Sequence, residues 1–101
     1  MVRMFIRVWE YDVAADRVDA FAAAYGAEGD WARLFRQGRG YVGTELYRST
    51  DDPARFVTVD RWTDERAWRS FLVEFRDAYH GLDRALAPLS VSQRAVLEGS
   101  A

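Results

Sequence analysis

The chain has no cysteine, no lysine and no asparagine, and its single histidine is His80. Without cysteine there is no disulfide, no thiolate nucleophile and no cysteine-based metal site. One histidine among scattered carboxylates also lacks the ligand spacing that a metal ion requires. We therefore expect no metal site.

Long apolar runs are missing as well. The segment Met1–Val8 is interrupted by Arg3 and Arg7, so it resembles neither a signal peptide nor a membrane span. The formal net charge is −2, and there is no tail rich in lysine or arginine. We therefore predict a cytoplasmic protein that binds neither membranes nor nucleic acid.

Apolar and aromatic side chains, by contrast, are abundant. Of the 101 residues, 50% are hydrophobic and 15% are aromatic. A chain of this length can bury one core but not two. This predicts a single domain over residues 1–101.

The segment Arg55–Leu82 combines a strand with the longest helical pattern of the chain. Its first part, through Trp62, is rich in the β-branched and aromatic residues that fit a strand. Its second part places apolar residues at helical spacing, namely Ala67, Trp68, Phe71, Leu72, Phe75, Tyr79 and Leu82. Thr63 or Asp64 is predicted to cap this helix, and Gly81 is predicted to end it.

The remaining patterns complete an alternation of strands and helices. Further strands are predicted at Val2–Tyr11, within Gly38–Arg48 and at Val91–Glu98. Further helices are predicted from Ala15 or Asp16 to Gly26 and over Asp30–Gln37. The order is the split βαβ pattern of an α+β, ferredoxin-like fold with a four-stranded antiparallel sheet.

Both faces of the predicted sheet are apolar, which is unusual for a sheet covered by helices on one side. We assign the mainly aliphatic face to the helices, with Val2, Met4, Ile6, Val8, Val42, Thr44, Leu46, Val57 and Val59. The opposite, open face then carries aromatic residues, namely Phe5, Trp9, Tyr11, Tyr41, Tyr47, Phe56 and Trp62. A slip of one residue would exchange the faces of a strand.

An open aromatic face needs a cover, because large apolar patches are rare on monomeric proteins. Two such faces meeting around a two-fold axis would bury the aromatic residues and enclose a cavity. The sequence therefore predicts a homodimer formed through the open sheet face, with any binding site between the two sheets.

Several of these residues resemble a known family. The motif Gly29-Asp30-Trp31, the run Gly40–Leu46 and the elements Asp60-Arg61-Trp62 and Ala67-Trp68 are similar to antibiotic biosynthesis monooxygenase domains. The resemblance extends from about Arg7 to about Leu89. It implies a dimeric α+β barrel, and its best-described members oxidise aromatic polyketides with O₂ and neither metal nor flavin. We therefore expect no cofactor and an aromatic small-molecule ligand.

The charges on the predicted aromatic face are the candidate catalytic groups. Arg7 would stabilise a phenolate or enolate substrate, with Asp60 beside it, and His80 is a candidate acid or base because histidine is the residue type whose unperturbed pKa lies near neutrality. The residues predicted to bind the substrate are Phe5, Trp9, Tyr41, Glu45, Tyr47, Phe56 and Trp62. In the alternative structural interpretation, Arg7 pairs with Asp60 or Glu45 to lock the dimer.

Three functions therefore remain open. The first is a cofactor-independent monooxygenase, and the second is a non-catalytic binding or dimerisation module. The third is a haem-binding protein, since a haem-degrading branch of the family relies on a strand asparagine, a helix tryptophan and a histidine near the end of the helix. Trp9 and Phe71 occupy about the first two positions here, and only His80 approximates the third.

Overall fold

Four antiparallel strands form a single sheet. A computed structural model of the chain describes residues 3–101. The strands are β1 (Phe5–Asp12), β2 (Tyr41–Arg48), β3 (Arg55–Trp62) and β4 (Ser92–Ser100), in the spatial order β2-β3-β1-β4. All three neighbouring pairs are antiparallel. This confirms the predicted ferredoxin-like α+β fold.

The helices occupy the two connections predicted for them. α1 (Val18–Tyr25) and α2 (Asp30–Phe35) lie between β1 and β2, and α3 (Glu65–Glu74) and α4 (Arg76–Leu86) lie between β3 and β4. Ala67 N donates a hydrogen bond of 2.8 Å to Asp64 Oδ1, which confirms the predicted N-cap. Within residues 3–101, no helix has the length and apolar character needed to cross a membrane.

The predicted single long helix is divided at Phe75. The backbone there has φ −112° and ψ 27°, yet hydrogen bonds of 2.8 Å from Phe75 N to Phe71 O and from Tyr79 N to Phe75 O continue across the break. The predicted end at Gly81 is wrong, because α4 continues to Leu86. Among the described glycines, Gly40 is the one with a positive φ, so Gly81 does not adopt the left-handed conformation that often ends a helix.

The predicted faces of β1 and β3 are reversed. Phe5, Arg7 and Tyr11 on β1 are buried, and β3 buries its alternate residues, Phe56, Thr58, Asp60 and Trp62. These side chains lie under the helices rather than on the open face. Ile6, Val8, Val57 and Val59 are half-buried on the opposite side; Val2 lies outside the described residues.

Aromatic packing explains the reversal. The helices also present aromatic rings to the sheet: Phe21 lies 5.1 Å from Phe56 between ring centroids, and Phe71 lies 5.2 Å from Trp62. Aromatic side chains bury more area than valine or isoleucine and gain further from tilted ring contacts. The aromatic row of the sheet is therefore the better partner for the helices.

In β2 an irregularity shifts the alternation. Tyr41 is opposite Trp62 and Gly43 is opposite Arg61, so Val42 is an extra residue in the pairing. Tyr41 consequently packs on the helix side, and Val42 is 48% exposed, both contrary to prediction.

Beyond the irregularity, the predicted faces of β2 are correct. Thr44 and Leu46 lie on the helix side, opposite Asp60 and Thr58. Glu45 and Tyr47 lie on the open face, where Arg61 Nε donates to Glu45 Oε1 at 2.9 Å and Tyr47 OH donates to Glu45 Oε2 at 2.6 Å.

Two glycine substitutions should have opposite effects on stability. A Cβ at Gly81 meets no atom within 4 Å, so Gly81→Ala should raise the free energy of unfolding by about 0.5–1 kcal/mol through helix propensity. At Gly40, φ is +87° and a Cβ would lie 2.5 Å from Thr63 Oγ1, so Gly40→Ala should lower it by at least about 1 kcal/mol. Urea unfolding measures both changes, and destabilisation by Gly81→Ala would contradict the assignment of Gly81 to a helix interior.

Candidate functional site

A cavity of about 70 Å³ lies between the sheet and the helices, within one chain. Its sheet side contains the buried polar groups Arg7, Thr44, Thr58 and Asp60. Aromatic rings supply most of the remaining wall, namely Trp9, Tyr11, Tyr25, Trp31, Phe35 and Tyr79. Cavity and polar groups thus lie on the opposite side of the sheet from the face predicted to hold the site.

Asp60 is the buried carboxyl group of this cavity, with 6% of its surface exposed. It lies on β3 opposite Arg7 of β1, and Thr44 Oγ1 donates to its Oδ1 at 2.6 Å. Burial raises the pKa of Asp60 from 3.8 to about 6, although the Thr44 hydrogen bond and the charge of Arg7 oppose the rise. Asp60 can therefore exchange a proton near neutral pH.

Arg7 is equally buried, and its charge is satisfied by groups that the sequence did not indicate. Its Nε donates to Glu98 Oε2 on β4 at 2.7 Å, and its guanidinium carbon lies 3.9 Å from the ring centroid of Trp68. The alternative in which Arg7 forms an ion pair with Asp60 or Glu45 is wrong among the described side chains. The guanidinium is thus held beside Asp60 without being neutralised by it.

The tyrosines of the cavity are neutral hydrogen-bonding groups. Burial raises the pKa values of Tyr11 and Tyr25 above the ordinary value of 10.0. Burial also raises the pKa of Tyr79, while the nearby Arg7 opposes that rise. Each phenol can donate a hydrogen bond to a bound anion while keeping its own proton.

The predicted site residues are divided between several locations. Arg7, Asp60 and Trp9 line the cavity, and Tyr41 lies next to it through a hydrogen bond with Thr44. Phe5, Phe56 and Trp62 belong to the packed core on the helix side. Glu45 and Tyr47 lie on the open face, remote from the cavity lining.

His80 is exposed on α4 and does not line the cavity. It packs instead against the ring of Tyr79, at 5.5 Å between centroids. Within the described residues, no group of three or more histidine, cysteine, aspartate or glutamate side chains is arranged to hold a metal ion.

Sequence reasoning missed three groups that matter here. Thr44 and Thr58 were not identified as site residues, although both are buried polar residues in rows that also contain large apolar side chains. Once the buried face of each strand is known, buried polar residues such as these are the ones that indicate a functional site. Glu98 had no signal, because its pairing with Arg7 depends on the register between β1 and β4.

Comparison with solved structures places the fold among known proteins. A protein of Nitrosomonas europaea, proposed to be an antibiotic biosynthesis monooxygenase, superposes with a TM-score of 0.71 at 17% identity, over 100% of this chain and 92% of that chain. SnoaB, a cofactor-independent oxygenase of Streptomyces nogalater, superposes with a TM-score of 0.63 at 24% identity, over 94% of this chain and 92% of that chain. At these identities the superpositions show a common fold. No curated protein matches the sequence.

The sequence itself carries the family relationship. Residues 4–80 match the family model described as antibiotic biosynthesis monooxygenase. The match spans most of the chain and includes β1, β2, β3 and α3 complete. The chain belongs to the antibiotic biosynthesis monooxygenase family.

Proposed function

We propose that this protein is a cofactor-independent monooxygenase that oxidises an aromatic, polyketide-like metabolite in the cavity between sheet and helices. The observation that carries the proposal is the position of a buried carboxyl group, Asp60, opposite a buried guanidinium, Arg7, in a cavity walled by aromatic rings. Family membership supports it, and so does the similarity in fold to SnoaB, a cofactor-independent oxygenase.

In the proposed reaction, Asp60 is the general base. Its carboxylate takes a proton from an acidic C–H or O–H group of the substrate, and its raised pKa makes it a better proton acceptor than an exposed aspartate. The substrate anion then supplies the electrons that reduce O₂. For a CH₂ group converted to C=O, one oxygen atom enters the product and the other leaves as water, so no external reductant is required.

Arg7 and the buried phenols stabilise the substrate anion. The guanidinium lines the cavity, and Tyr11 and Tyr79 stand beside it as neutral donors. In a site that excludes water, such fixed donors interact with a developing negative charge more strongly than in solution. Aromatic walls, including Trp9 and Trp31, provide surfaces on which a planar substrate can stack.

Binding of a polyketide-sized substrate requires α4 to move outward. The cavity of about 70 Å³ is smaller than the roughly 300 Å³ at the lower end of ligand sites. α4 contributes Tyr79 and Asp83 to the cavity wall, yet none of its residues is fully buried, and it is separated from α3 by the break at Phe75. In this proposal α4 is the element that opens.

The base role predicts the behaviour of Asp60→Asn. With a hydroxylated anthrone as probe, O₂ consumption should fall at least about 100-fold in this variant, because a positioned base is removed. The wild-type rate should rise with pH and level off above a midpoint near 6, since only the carboxylate accepts a proton. An oxygen electrode measures both.

Asp51→Asn is the matched control, because Asp51 is exposed in the turn between β2 and β3. Its rate should equal that of the wild type. Full activity of Asp60→Asn, or a rate that does not change between pH 5 and 8, would contradict the base role. Tight binding of the anthrone without O₂ consumption would favour the non-catalytic binding module instead.

The pKa of Asp60 also has a consequence that needs no substrate. The folded chain binds this proton more tightly than the unfolded chain, in which the pKa is near its ordinary value of 3.8. Wild-type stability should therefore fall as pH rises from 4 to 7, relative to Asp60→Asn, by up to about 3 kcal/mol. Urea unfolding at each pH measures the difference, and a difference that stays constant would refute the raised pKa.

We further infer that the protein is a homodimer formed through the open sheet face. With the aromatic row covered by helices, this face carries aliphatic side chains, among them Ile6, Val8, Val57, Val59 and Leu97. Leu97 is 49% exposed, which favours a further layer packed against it. The cavity is then enclosed by one chain, and the dimer interface lies on the opposite side of the sheet. A cytoplasmic location stays a prediction.

The dimer can be tested with two charged substitutions at exposed positions. Light scattering should give a mass twice the chain mass of 11.6 kDa for the wild type. Leu97→Glu should give the monomer mass, whereas Val73→Glu on α3, at a position 76% exposed, should leave the dimer intact. A wild-type mass of 11.6 kDa would refute the interface.

A further inference from the structure

A continuous chain of hydroxyl groups leads from Asp60 through Thr44 to Tyr41 of β2. Thr44 Oγ1 donates to Asp60 Oδ1 at 2.6 Å, and Tyr41 OH lies 2.6 Å from Thr44 Oγ1. We propose that Thr44 and Tyr41 form a proton relay that connects Asp60 with solvent. The proposal rests on the role of Asp60 as base and assigns the route by which the abstracted proton leaves.

The polarity of the relay follows from the number of hydrogens available. A threonine hydroxyl has one hydrogen, and in the carboxylate state of Asp60 the Thr44 hydrogen is donated to Oδ1. Tyr41 OH must then be the donor to Thr44 Oγ1. The resting arrangement thus points every hydroxyl of the chain toward the carboxylate, which stabilises the charged form of Asp60.

The extra residue in β2 creates this alignment. In a regular strand, residues 41 and 44 would lie on opposite faces, because side chains alternate. The additional residue Val42 shifts the alternation, so that Tyr41 and Thr44 are both on the helix side. Without the irregularity the Tyr41 phenol would lie on the open face, and the chain would stop at Thr44.

The Tyr41 end reaches the protein surface. Tyr41 is half-buried, while Thr44 and Asp60 are 7% and 6% exposed. The charged groups near its phenol are Arg36 and Glu28, which form an ion pair of 2.9 Å between exposed side chains. Burial raises the pKa of Tyr41, so its phenol remains neutral and transmits a proton without storing the charge.

The relay operates in the direction opposite to its resting polarity. Once Asp60 has taken the substrate proton, the Thr44 and Tyr41 hydroxyls first rotate, so that Asp60 donates to Thr44 Oγ1, Thr44 donates to Tyr41 and Tyr41 donates to water. The Asp60 proton then passes to Thr44 as the Thr44 proton passes to Tyr41 and the Tyr41 proton passes to water. These transfers leave both hydroxyls pointing toward the Asp60 carboxylate, which is the resting arrangement. The water molecule formed from O₂ takes one proton back from solvent, so the overall reaction releases none. Tyr41 does not line the cavity, so the outer end of the relay lies outside the space that a bound substrate would fill.

Arg7, Tyr11 and Tyr79 are the other titratable groups that interact with the charge of Asp60. The Arg7 guanidinium favours the carboxylate, and burial keeps the phenols of Tyr11 and Tyr79 protonated. None of the three is hydrogen-bonded to Asp60 among the described side chains, so Thr44 is the described residue that contacts the carboxylate through a hydrogen bond.

The test follows Asp60 directly and needs no substrate. After a light-induced pH jump, time-resolved infrared spectroscopy records the C=O band of the protonated Asp60 carboxyl, identified by its absence in Asp60→Asn. Thr44→Val and Tyr41→Phe should slow the protonation of Asp60 about tenfold or more, because each interrupts the relay. Thr44→Ser keeps a hydroxyl and should restore the wild-type rate.

Tyr47→Phe is the matched control, since Tyr47 is on the same strand but on the open face; its rate should equal that of the wild type. A structural role of Tyr41 would change the pKa of Asp60, whereas a relay role slows the exchange and leaves that pKa nearly unchanged. If Thr44→Val fails to fold, the protonation rates of Asp60 in Thr44→Ser and Tyr41→Phe still test the relay.

Unchanged protonation rates in Tyr41→Phe would overturn the relay, because the proton would then reach Asp60 through the cavity. The outcome is separable from that of the proposed function. An inactive wild type whose Asp60 exchanges more slowly in Tyr41→Phe would reject the oxygenase and keep the relay. If activity depends on Asp60 but its protonation rate is the same in all variants, the oxygenase proposal is kept and the relay is rejected.

Discussion

The structure depends on which row of side chains each strand turns toward the helices. β1 and β3 both present an aliphatic row and an aromatic row, and the aromatic row is the buried one. Because Arg7 and Asp60 stand in that row, packing of the rings carries two opposite charges into the interior of one chain. Burial of charge is unfavourable unless it is compensated, and Glu98, Trp68 and Thr44 provide the compensation.

Local patterns were sufficient for the elements and their order. The change from twofold to helical periodicity after Trp62, the Asp64 cap and the turn residues before Arg55 are all local signals, and the structure agrees with them. The two faces could not be settled in this way, because exchanging them leaves every local pattern unchanged. What decides between them is the aromatic character of the helices, which is visible in the sequence but acts only through tertiary packing.

For the candidate site, the residue types were easier to predict than their surroundings. Arg7, Asp60 and Trp9 were selected as charged or aromatic residues of one row, and they do meet at one cavity. His80 was selected for its residue type alone. The residue type does not determine which side of a helix faces the sheet, and His80 lies on the exposed side of α4. Tyr41 lies on the helix side together with Thr44 because of an extra residue in β2, an irregularity that depends on pairing with β3 and leaves no mark in the local sequence.

The ion pair between Arg7 and Glu98 gives the carboxyl-terminal strand a role beyond completing the sheet. Glu98 lies near the end of β4, and the strand is fastened at its tip by a hydrogen bond of 2.9 Å from Ala101 N to Met4 O. A chain shortened before Glu98 would keep its aromatic core but lose the carboxylate that accepts the hydrogen bond from Arg7 Nε. Because the Glu98 side chain is 49% exposed, this loss should lower stability by less than the about 3–5 kcal/mol typical of a fully buried pair. Glu98 thus holds in place a side chain of the cavity wall, so changes in β4 act on the cavity through Arg7.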